Sequence, residues 1–250
     1  MPVNTDNPAG RLLVLLRQAK SYPNVSTCLH VWAQVFDLSI NDNHQQYELM
    51  HRIWEINQLI DDLEQQVQSL EDDDDRESFL QPIQRFRNAV PIAAASNTNI
   101  QQAFGPITDG DMIVLDFCSR HLHKRTPEPV ADPKGLEDLN GEIDRLFEKV
   151  NSSSTLEAGL KEFLLVQIES IRRGIQEYRI GGIQRLRETL GSVLGTAMVN
   201  QEKMTADAEE LREFIEVTSK LISIVEFAWK TTKLLNAVSA VLPHLLASHQ

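Results

Sequence analysis

The sequence predicts an all-α protein, a multi-helix bundle with an N-terminal helical half and a C-terminal helical bundle that ends in a long last helix. Three observations carry this expectation. Apolar residues recur at three- and four-residue steps along most of the chain. Capping residues, prolines and glycines bound the periodic runs. No run of about 4 to 8 residues alternates as a half-buried strand does, and β-branched residues are scattered among helix formers.

Asn7 followed by Pro8 predicts a helix start, because proline at the first helical position sacrifices an N–H that has no partner anyway. Tyr22-Pro23-Asn24 ends that helix. Ser26 is expected to cap a short second helix carrying Leu29, Trp32, Val35 and Phe36 on one face. Asn41 or Asp42 then caps a longer helix through about Leu70, with Leu49, Ile53, Ile56, Ile60, Leu63 and Val67 on its stripe. The acidic run from Glu71 to Glu77 reads as a solvated loop through self-repulsion, with a short helix resuming near Ser78. A loop with one helical turn is expected between Ala89 and Pro106, and a helix from Asp109 to His123.

Residues 126–135 hold three prolines and a glycine, and predict a Pro-rich linker between an N-terminal helical subdomain (1–125) and a C-terminal helical bundle (136–250). The second half begins with a stripe of Leu136, Leu139, Ile143, Leu146, Phe147 and Val150. Ser154 and Glu157 then form a capping-box pattern for a helix to about Tyr178. Gly181-Gly182 breaks it, and the next helix carries Ile183, Leu186, Leu190, Leu194 and Met198, antiparallel to the last. The final helix is expected from near Thr205, with Asp207 and Glu210 as its capping pair, to about Leu242. Its apolar residues form two adjoining stripes, Phe214, Val217, Leu221, Ile224, Ala228, Leu235, Val238, Leu242 and Leu211, Ile215, Ile222, Val225, Trp229. A helix apolar on two stripes must be covered on more than one side, by its own bundle or by a partner.

Hydrophobic residues at 42% and charged residues at 24% fit a chain that folds. A net charge of -12 argues against a general nucleic-acid binder, since neutralising phosphates needs a basic surface. Cys28 and Cys118 have no paired spacing, so neither a disulfide framework nor a cysteine zinc site is indicated, and a cytoplasmic home is expected. The N-terminus lacks the basic and apolar regions of a signal peptide. The apolar stretch from Leu234 to Ala247, interrupted by Pro243 and His244, is shorter than the roughly 18 to 20 residues that span a bilayer.

Four local patterns bear on chemistry. Glu48 and His51 have the Glu-x-x-His spacing of di-iron bundles, but none of the other histidines has a glutamate three residues before it, so no metal site is expected. His121 and His123 point about 200° apart on a helix and cannot easily share an ion with Cys118, which reads as a buried apolar residue rather than a nucleophile. Arg172, Arg179 and Arg185, with Arg173 and Arg187, surround Gly181-Gly182, where a helix start with arginines can hold a phosphate or carboxylate. The plainer reading is pairing with Glu169, Glu177 and Glu188. Gly191 and Gly195 form a small-xxx-small pattern, expected to pack closely against the last helix. No catalytic residue and no cofactor is assigned.

The segments from Asn7 to Leu12, from Trp32 to Phe36 and from Ile171 to Glu188 resemble a group of acidic, all-helical bacterial proteins of the cytosol with no assigned activity. The resemblance implies a bacterial origin and nothing about chemistry. The expected function is non-enzymatic: a helical interaction or regulatory protein, binding a protein partner or itself through Phe214, Leu221, Ile224, Trp229, Leu235 and Val238 on the last helix. Two alternatives are a membrane-acting, toxin-like defence effector whose C-terminal helices insert after rearrangement, and a nucleotide or small-anion sensor using Arg172, Arg179 and Arg185.

Overall fold

The computed structural model describes residues 3–22, 26–90 and 98–229. Among these, 79% are helical, in nine α-helices, and there is no strand. The all-α architecture is that expected from the periodicity. No helix among the described residues is long and apolar enough to cross a membrane.

By its contacts the chain divides into two compact units. The first is Met1–Glu128 together with Ile180–Gly182, and the second is Pro129–Arg179 together with Ile183–Gln250.

The first unit holds α1 (Pro8–Lys20), α2 (Cys28–Val35), α3 (Asn43–Gln68), α4 (Asp73–Ala89), α5 (Ile100–Phe104) and α6 (Asp109–Arg125). Asn7 caps α1, accepting from the Gly10 N–H at 2.9 Å, with Pro8 in the first turn. Asp42 accepts from the Gln45 N–H at the start of α3. Leu12, Leu16, Trp32, Ile53, Ile56, Ile60 and Phe86 are buried in one core, joined by Ile180.

Two local expectations are corrected here. Thr27, not Ser26, caps α2, its hydroxyl accepting from the His30 N–H at 3.3 Å. The Ser26 carbonyl accepts from the Ile100 N–H at 3.0 Å, and the Thr98 carbonyl accepts from the Cys28 N–H at 2.8 Å. This pairing of two distant segments fixes where the helix can start. The acidic run is also not a loop throughout, because α4 begins at Asp73 with Asp72 as its cap, accepting from the Asp74 and Asp75 N–H groups at 3.1 Å. Carboxylates unfavourable at the end of α3 are favourable at the N-terminus of α4, where amide dipoles point at them.

The second unit holds α7 (Pro133–Ser152), α8 (Ala158–Val199) and α9 (Glu209–Trp229), with a 3-10 turn at Lys203–Thr205. Pro133 to Gly135, read in the sequence as the end of a linker, form the first turn of α7, capped by Asp132. Glu157 rather than Ser154 caps α8, taking the Gly159 and Leu160 N–H groups at 3.0 Å each. At Gly182, φ is 63° and ψ -157°, which breaks α8 into two arms. The arms run antiparallel: a Cβ on Gly174 would collide with the Thr189 side chain, and Arg185 pairs with Glu177. Both pairs straddle the break, so the expected hairpin forms.

Gly191 and Gly195 behave otherwise. Among the described residues a Cβ at either would meet nothing within 4 Å, and both are exposed. Among the described residues, then, this face makes no close packing against the last helix, whose expected continuation beyond Trp229 lies outside them. The buried side of this arm is Leu190, Val193 and Ala197 instead.

Candidate functional site

The last helix starts at Glu209, after Ala206 to Ala208, rather than near Thr205, and Asp207 pairs with Arg212 at 3.4 Å. Both of its apolar stripes are used inside the second unit. Leu211, Phe214, Val217, Leu221, Ile222 and Val225 are buried against α7 and α8 residues such as Ile143, Leu164 and Leu190. Of the candidate interaction residues, Phe214 and Leu221 are thus core, at 2% and 0% exposure. Ile224 and Trp229 are partly buried, and Arg187 lies 5.4 Å over the Trp229 ring. Leu235 and Val238 lie outside the described residues, as does the expected continuation to Leu242.

The outward side of α9 reads Glu209, Arg212, Glu216, Lys220, Ser223 and then Phe227, all exposed. These residues follow one another at three- and four-residue steps, so they share one face. Its first part is anchored by charge: Lys149 on α7 reaches Glu209 at 2.7 Å and Glu213 at 2.6 Å, and Lys220 reaches Glu142 at 2.7 Å. An open groove of about 430 Å³ lies along this seam, with Leu139 and Ile224 beneath Asp138, Glu142, Ser219, Lys220 and Ser223. The Lys220–Glu142 pair belongs to its lining. At Phe227 the polar stripe turns apolar, and that ring is 81% exposed. In sequence, Leu234 and Val238 follow Phe227 at seven and eleven residues, the same helical spacing.

The candidate anion set sits on the two arms of α8. Arg172 donates to Asp144 through Nε at 3.0 Å and to Glu169 through Nη1 at 2.7 Å, and its guanidinium lies 4.6 Å from the centre of the Phe147 ring. Arg185 pairs with buried Glu177 and reaches Glu188 at 3.2 Å. Arg179 is exposed. An incoming anion must displace carboxylates from Arg172 and Arg185, giving up charge-assisted hydrogen bonds already made.

The remaining chemical candidates are buried thiols or side chains paired with neighbours, His51 Nε2 facing Glu55 at 3.7 Å. Burial pushes the Cys118 thiol up to about 12, so it stays protonated and unreactive near neutral pH. Cys28 is buried too, and burial raises its pKa. Glu48 pairs with Arg52 at 2.6 Å while the His51 ring stacks on Trp54 at 5.8 Å, so the Glu-x-x-His residues go to different neighbours. His121 faces Asp75 at 3.4 Å, and His123 faces Asp6 at 2.5 Å.

Phe227 belongs to neither of the two apolar stripes that periodicity selects on the last helix. Its register, four residues beyond Ser223 and seven beyond Lys220, is the signal that marks it as outward-facing. No protein-family model, curated protein or solved structure matches the chain.

Proposed function

We propose that this protein is a non-catalytic helical interaction protein that binds a protein partner through the outward face of the last helix at Phe227. The observation that carries this reading is the change of the exposed face of α9 from charged and hydroxyl side chains to an 81% exposed phenylalanine. A single exposed apolar residue is ordinary on a protein surface. One that ends an otherwise polar helical stripe, with apolar residues following in the sequence, fits a helix that docks in a groove on another chain.

Burial of Phe214 and Leu221 changes how the reading must be tested. Deleting the chain from residue 205 onward, or placing Asp at Leu221, removes core and says nothing about a partner. Phe227→Glu alters only the outward stripe. Crosslinking and affinity capture of the tagged full-length chain in its native host should recover a specific partner that Phe227→Glu no longer retains. Equal recovery by both forms, or recovery only with membranes, counts against the reading.

A further inference from the structure

We draw no further inference here: the strongest candidate, the open groove between α7 and α9 over Leu139 and Ile224, has Lys220 already paired with Glu142 across it, and nothing in the structure shows what covers it.

Discussion

Arg11 donates through Nε to the carbonyl oxygen of Ile180 at 2.8 Å, joining residues 169 positions apart. The same guanidinium grips Glu128 through Nη1 at 2.6 Å and Nη2 at 3.3 Å, and Gln66 adds a bond to Glu128 at 3.3 Å. Beside it Gly182 turns with positive φ, at a place where a Cβ would lie 2.7 Å from Arg11 Nη1. The hairpin break is therefore held at a buried, charged point of the first unit. Removing the arginine strands both a carboxylate and a carbonyl. Arg11→Ala should cost about 3 to 5 kcal/mol of stability, the range for half a buried ion pair. Denaturant unfolding checks this, and a loss below about 1 kcal/mol would show that the pair is worth no more than a surface one.

The glycines give a contrasting pair of outcomes. Gly182→Ala puts a side chain at φ 63° beside Arg11 and should destabilise by about 1 to 3 kcal/mol. Gly191→Ala and Gly195→Ala meet no neighbour among the described residues within a helical arm and should stabilise by up to about 1 kcal/mol each. Thermal unfolding of the three variants decides whether the small-residue pair is a packing face. Destabilisation at Gly191 or Gly195 would restore that reading.

Asp111 predicts an acid limb to stability. Burial pushes its carboxyl up, but hydrogen bonds from Arg85, the Thr108 N–H and the Thr108 hydroxyl outweigh this and hold it below its ordinary value of 3.8. A carboxyl lowered on folding stabilises above its unfolded value and loses that contribution as pH falls through the folded one. Stability should therefore decline below about pH 4, and Asp111→Asn should lower it at neutral pH while flattening the decline. An unchanged acid limb in that variant would assign the decline elsewhere.

Cys118 should be silent to thiol reagents in the folded protein. Its side chain is buried, and its thiol stays protonated well above neutral pH. Labelling at pH 8 should wait on unfolding and become fast in denaturant. Rapid labelling of the native protein at Cys118 would place it in an open environment.

Much of the fold was legible because it depends on short-range rules. Asn7-Pro8, the stripe from Leu49 to Val67 and the break at Gly181-Gly182 are written within a turn or two of where they act. What was not legible depends on distant partners. Thr27 displaces Ser26 as a cap because residues 98 and 100 pair with that segment. The aspartates after Asp72 belong to the helix that follows them, which a reading of the preceding helix end could not show. Arg11 carries no local signal of its role, since neither Ile180 nor Glu128 is near it in sequence. The last helix was legible as doubly apolar, but not that its own bundle covers Phe214 and Leu221 and leaves Phe227 outward.

That division between core and outward stripe carries the functional account, and two variants of α9 test it together. Leu221→Ala should cost about 2 to 5 kcal/mol, while Phe227→Glu should leave unfolding within about 0.5 kcal/mol of the parent. The most direct measurement is quantitative affinity capture of full-length parent and Phe227→Glu from the native host after mild crosslinking, with circular dichroism showing equal helicity. The account predicts a specific protein partner held by the parent and lost from the folded variant. The same partner retained at equal yield by Phe227→Glu would contradict it.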